Sequence, residues 1–176
     1  NGLETINISK KEFFQGLLGI ATTRLNARFM TYFFREDANE GIPHDMNEVK
    51  NLLRKNSFVF CGALRYAKNE TSDSTAAKLA HFFNTTLINL TDVKGLYDKN
   101  PREFRNAKFI PEISHNEFYK QAKKIHFKPG QHFVLDQDAA KIIRKYNITT
   151  FILGDDIKQL DNVLNNQHFV GTIISN

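Results

Sequence analysis

From residue 57 onward the sequence alternates between two kinds of segment. Short apolar-rich runs at residues 57–61, 85–90, 109–113, 149–153 and 171–175 each end at a glycine or a polar turn. Between them lie stretches with apolar residues at helical three- and four-residue spacing, at 73–83, 114–124, 138–146 and 156–164. Runs that stay apolar, instead of alternating apolar with polar, suit strands buried on both faces. The chain therefore reads as α/β: a three-layer sandwich, with a mainly parallel sheet covered by helices on both faces. No internal repeat is visible, and a single domain is expected over residues 1–176. In such a sheet ligands gather at the C-terminal ends of the strands. The loops to inspect are then residues 62–72 and 91–101.

Helix signals punctuate this pattern. Ser9 and Glu12 form a capping box, in which the hydroxyl accepts from a helical N–H and the carboxylate reaches back. It opens a long helix to about residue 35. Its apolar positions, including Phe13, Phe14, Leu17, Leu18, Leu25, Phe29 and Phe33, are broad enough for either a core helix or a dimer contact. Residues 37–56 read as a loop with a short helix near 46–53. Ser72 is an expected N-cap, Ser114 with Glu117 a second capping box, and Asp136 a cap for the helix after it. Asp156 is another such cap, with Gln159 in the capping-box position.

Charge and cysteine narrow the function classes. The net charge is +5. Nine Lys/Arg stand against four Asp/Glu between Lys94 and Lys128, and the rest of the chain is balanced. Such a stretch is either a solvated basic face or a site for a phosphate-rich ligand. No aromatic pattern interleaves with it as RNA-binding surfaces require, so no nucleic acid is expected. No run approaches the roughly 18 apolar residues of a membrane span, so no membrane is expected either. The single cysteine, Cys61, rules out a disulfide framework, and a cytoplasmic location is the expectation. The six histidines show no metal-ligand spacing, and no resident metal site is expected.

Three blocks resemble a known family. Thr91-Asp92-Val93-Lys94-Gly95-Leu96-Tyr97-Asp98-Lys99-Asn100-Pro101 resembles the T-x-V-D-G-V-Y-x-x-D-P nucleotide loop of the amino-acid-kinase superfamily. Gly19-Ile20-Ala21-Thr22-Thr23-Arg24-Leu25-Asn26-Ala27 resembles the G-I-x-x-T-R-x-N-A helix of its archaeal-type UMP kinases. Residues 130–143 resemble their G-x-x-x-V-x-D-P-x-A-A-K-I-I block, and Gly171-Thr172-Ile173-Ile174 the family's ending. The blocks stand in the family's order and cover nearly the whole chain.

The resemblance implies an amino-acid-kinase fold and transfer of the ATP γ-phosphoryl group to UMP, with Mg2+. It also implies hexamers built from dimers, with a dimer helix at about residues 9–35. Thr91, Tyr97 and Asn100 match ATP-binding positions, and an aromatic ring such as that of Tyr97 can pack on adenine. Gly16, Gly62, Thr71, Ser72 and Asp73 fall in the UMP-binding region. Amides at the helix start after Thr71 suit a phosphate.

Several positions depart from the family pattern. Asn100 replaces an acid, Lys94 reverses one, Gly16 stands where an Asp holds the ribose, and the 62–73 loop lacks Pro-Gly. The family's first strand, with its Lys and Gly-Gly phosphate loop, would precede Asn1. This chain alone is therefore expected to lack that catalytic Lys and not to turn over. Two alternatives follow from the departures: a diverged relative that binds nucleotide or anion without transfer, or a kinase for another small phosphorylated acceptor.

Overall fold

The computed structural model describes residues 11–65, 70–124 and 134–176. The chain divides into two compact units, Asn1–Ser72 and Asp73–Asn176. Ser9 of the first capping box and residues 66–69 and 125–133 lie outside the described residues.

The first unit contains α1 (Lys11–Phe34), a 3-10 turn (Arg35–Asp37) and α2 (Met46–Leu52). Asp45 caps α2 by accepting from the Glu48 N–H at 2.9 Å, while the Glu48 carboxylate accepts from the His44 N–H at 2.7 Å. Most of the apolar face of α1 is open: Leu25, Phe29, Tyr32 and Phe33 are each about two-thirds exposed, and Ala27 and Thr31 are buried.

Residues 57–61, expected as a strand, make a single bridge between Ala38 and Phe58 and no ladder. The Phe58 N–H bonds the Asp37 carbonyl at 2.9 Å, and the Phe60 backbone is satisfied by a side chain. Asn39, 1% exposed, accepts from the Phe60 N–H at 2.7 Å and donates to its carbonyl at 3.1 Å. One amide thus stands in for a strand neighbour at this residue. The rings of Phe58 and Phe60 pack on Phe34 at 5.2 and 5.1 Å.

The second unit takes up all but the first residue of α3 (Ser72–Phe83). It continues through β1 (Leu87–Leu90), β2 (Leu96–Tyr97), β3 (Phe109–Ile110), β4 (Glu112–Ser114), α4 (His115–Lys124), α5 (Gln137–Tyr146), β5 (Thr150–Leu153), α6 (Ile157–Leu164) and β6 (Gly171–Ser175). The sheet order is β1-β5-β6-β4. β1 pairs parallel with β5 and β4 with β6, whereas β5 and β6 are antiparallel. Gly171 pairs with Leu153, so the excursion through α6 leaves and returns at one end of the sheet. The architecture is an open mixed sheet with helices.

The expected strand at 109–113 is split by Pro111, which has no N–H to give. Phe109 and Ile110 pair with β2 as a hairpin, and Glu112–Ser114 with β6. The core lies between the sheet and its helices, formed by Ala77 and Ala80 of α3, Phe118 of α4, Ala140 and Ile143 of α5, and Ile152 and Ile174 of the sheet. The helix caps expected at Ser114, Asp136 and Asp156 are made, with Glu117, Ala139 and Lys158 N–H groups as donors at 3.2, 2.8 and 3.0 Å.

Candidate nucleotide site

The parallel pair β1–β5 sets the site's position. Beyond β1 the Thr91 N–H still bonds the Leu153 carbonyl, at 2.8 Å, so the chain leaves the sheet beside the end of β5. It then turns into the β2–β3 hairpin. Between the loop and α4 lies a cavity of about 460 Å³, lined by Thr91, Tyr97 and Asn100 together with Lys99, Arg102 and Lys124. Leu96, Phe104 and Val134 supply apolar wall. An apolar pocket with a few convergent polar and cationic groups suits a small phosphorylated ligand.

Each of the three nucleotide-loop residues has a distinct setting. The Tyr97 ring is half-buried and meets Phe109 edge-on at 5.4 Å. Asn100 organises its own turn: its Oδ1 accepts from the Arg102 N–H at 3.0 Å and its amide donates to Glu103 at 2.8 Å. Its role in shaping the cavity is therefore that of a turn former. Thr91 sits at the mouth with Asp92, whose carboxylate pairs with Arg102 at 2.6 Å. A neighbouring cavity of about 590 Å³ shares Asp92, Tyr97 and Arg102 and adds Lys94, Asp155 and Gln159. Lys94, the reversed charge, thus faces a different space from Asn100.

The acceptor-region residues divide between the two units. Gly16 lies in α1 and is half-buried. Gly62 lies against the same helix: a Cβ there would come within 2.5 Å of the Arg24 nitrogen and 2.6 Å of the Thr23 carbonyl carbon, so only glycine fits. The residues after it are held by α1 side chains. The Arg24 guanidinium donates to the Ala63 carbonyl at 3.1 Å and to the Leu64 carbonyl, and the Ala63 N–H donates to Thr23 Oγ1 at 3.0 Å. Arg24 thus anchors the segment after Gly62 to α1. Thr71 precedes α3, Ser72 is its first residue and Asp73 its second. The Asp73 carboxyl is held above its ordinary value by burial and by the Asp136 charge.

Other candidates have structural roles. His115 is 3% exposed, with its ring nitrogens 2.8 Å from Asn176 Oδ1 and 3.1 Å from the Ile148 carbonyl. Burial pushes the Cys61 thiol up, which disfavours the thiolate a nucleophile needs. Among the described residues, no three His, Cys, Asp or Glu side chains gather as a metal cage, and no helix is long and apolar enough to cross a membrane. Sequence reasoning missed two side chains that hold the cavity walls. Asn89 donates to the Val134 carbonyl at 2.7 Å, and Thr172 bonds the backbone beneath Tyr97. Their partners lie 45 and 76 residues away in sequence, and no local pattern signals them.

Comparison with known proteins identifies the family. The amino acid kinase family matches residues 4–154, most of the first unit and the larger part of the second. Uridylate kinase of Methanopyrus kandleri is 32% identical over 172 residues, covering 96% of this chain and 74% of that protein. Uridylate kinase of Methanothermobacter thermautotrophicus is 31% identical, over 89% of this chain and 69% of that protein. Among solved structures, uridylate kinase of Archaeoglobus fulgidus superposes with a TM-score of 0.85 at 28% identity, covering 99% of this chain and 77% of that one. The UMP kinase of Bacillus anthracis, at 18% identity and a TM-score of 0.73, shares the fold. The chain belongs to the amino acid kinase family, among the relatives of the archaeal uridylate kinases.

Proposed function

We propose that the protein acts as a UMP kinase-like phosphotransferase, moving the γ-phosphoryl group of ATP to UMP to give UDP, a step of pyrimidine nucleotide synthesis. The observation that carries this reading is the cavity at the end of β1 that Thr91, Tyr97 and Asn100 line together. Adenine lies against the Tyr97 ring, and the phosphates extend past the cationic side chains of the cavity. Phosphoryl transfer needs little covalent help from a protein, so alignment and charge neutralisation carry the catalysis.

Magnesium fits the donor set as a substrate-borne ion. It would arrive with ATP on the phosphates, and Asp92, Asp98 and Glu103 are the carboxylates in the cavity lining. When bound, it neutralises charge on the moving phosphoryl group. UMP is assigned to Gly16, Gly62, Thr71, Ser72 and Asp73, with its phosphate at the first amides of α3. Gly16 supplies no side-chain contact, and Gly62 serves through its close seat on α1. The open face of α1 fits a dimer contact within a hexamer built from dimers, and a cytoplasmic location accords with the substrates.

A coupled transfer assay with ATP–Mg2+ against UMP, CMP and isopentenyl phosphate tests the reading. Turnover with UMP as the preferred acceptor supports it. Preference for isopentenyl phosphate replaces UMP with another acceptor. ATP and UMP binding without turnover keeps the nucleotide sites and shows that this chain does not transfer phosphate on its own.

A further inference from the structure

The residue that sets the shape of the nucleotide cavity is not in the loop that lines it. Thr172, on β6, is fully buried. Its hydroxyl accepts from the Leu96 N–H at 2.8 Å and donates to the Ile110 carbonyl at 2.5 Å. Leu96 and Ile110 are register partners in the β2–β3 hairpin, so one hydroxyl bridges a facing pair of that hairpin. Gly95 approaches the same atom: a Cβ there would lie 2.7 Å from Thr172 Oγ1 and 3.1 Å from the Thr172 nitrogen. Gly95 also has φ +157°. Loop and β6 therefore approach this closely only with glycine at 95. β6 is itself fixed, since Thr172 pairs with Ile152 and the Ile173 N–H bonds the Pro111 carbonyl at 2.9 Å.

We infer that Thr172 is a positioning residue for nucleotide binding, fixing the Leu96–Tyr97 backbone so that the Tyr97 ring faces the cavity. This rests on the reading of that cavity as the ATP site. A buried N–H and a half-buried carbonyl would both lose this partner if the hydroxyl were removed, and the hairpin would have to shift to regain one. Tyr97 follows directly after Leu96, so the shift reaches the ring. The sheet core around Ile152 and Ile174 does not depend on the hydroxyl.

The test compares Thr172→Val, which keeps shape and removes the hydroxyl, with Thr172→Ser, which keeps the hydroxyl. ATP–Mg2+ and UMP are titrated separately by calorimetry, with Tyr97→Ala as reference and melting curves to confirm folding. Thr172→Val is expected to weaken ATP binding about tenfold and leave UMP binding unchanged, with Thr172→Ser within twofold of the parent protein. Loss of ATP binding in Tyr97→Ala with parental affinity in Thr172→Val overturns the positioning role and leaves the site reading standing. Parental affinity in Tyr97→Ala overturns the site reading, and the inference with it. Should Thr172→Val not fold, Gly95→Ala tests the same contact from the loop side: the same ATP-selective loss supports the inference, and parental ATP affinity overturns it.

Discussion

The backbone N–H of Asp136 donates to Asp73 Oδ2 at 3.4 Å, joining the start of α5 to the start of α3. Burial and the Asp136 carboxylate together raise the pKa of Asp73 above its ordinary value of 3.8, outweighing the backbone hydrogen bond that lowers it. A carboxyl whose pKa rises on folding favours the folded state in its protonated form, and that advantage is lost as pH rises through the folded value. Asp73→Asn removes the titration while keeping shape. The variant is expected to melt above the parent near neutral pH, and the gain should vanish as pH falls below about 3.8, where Asp73 is protonated in both states. Melting curves across this range check it; a gain that does not vary with pH would contradict the assignment.

Local chemistry was legible in the sequence, and pairing was not. Asp136, Asp156 and Ser114 could be read as caps because donor and acceptor lie within three residues of one another. The strand expected at 57–61 failed because an apolar run does not name its neighbour, and Asn39 satisfies the Phe60 backbone instead. Pro111 was visible, yet its division of one run between a hairpin and the main sheet depends on partners far along the chain. The antiparallel β5–β6 pair is equally non-local. At the candidate site, the nucleotide-loop residues were readable as a motif. The anchors beneath and beside them, Thr172 and Arg24, act through contacts that sequence spacing does not reveal.

Arg24 ties α1 to the segment after Gly62 through two carbonyls. Arg24→Ala leaves both acceptors without their charged donor and should cost about 2 kcal/mol of stability. Urea denaturation measures it. A change below the error of the method would show that the guanidinium contributes nothing to holding that segment.

Gly62 has no room for a side chain against the Thr23–Arg24 backbone. Gly62→Ala should destabilise the protein by about 1–3 kcal/mol, because helix backbone cannot yield as a flexible side chain would. Gly19→Ala, whose Cβ would meet nothing within 4 Å on the same helix, is the control and should stabilise by about 0.5–1 kcal/mol. Comparing the two melting temperatures separates close packing from helix propensity.

The exposed apolar face of α1 fits a self-association surface, since patches of this kind on soluble proteins are ordinarily covered. Leu25→Glu combined with Phe29→Glu should lower the mass found by light scattering while leaving the far-ultraviolet circular dichroism intact. An unchanged assembly mass would remove α1 from the interface.

Whether the cavity beside Tyr97 receives ATP is measured most directly by calorimetric titration of ATP–Mg2+ into the parent protein and into Tyr97→Ala. Removing an aromatic face from a bound base costs about 1–3 kcal/mol, so the variant should bind at least about fivefold more weakly than the parent. Equal affinity in the two proteins, or no ATP binding by the folded parent, would contradict the account.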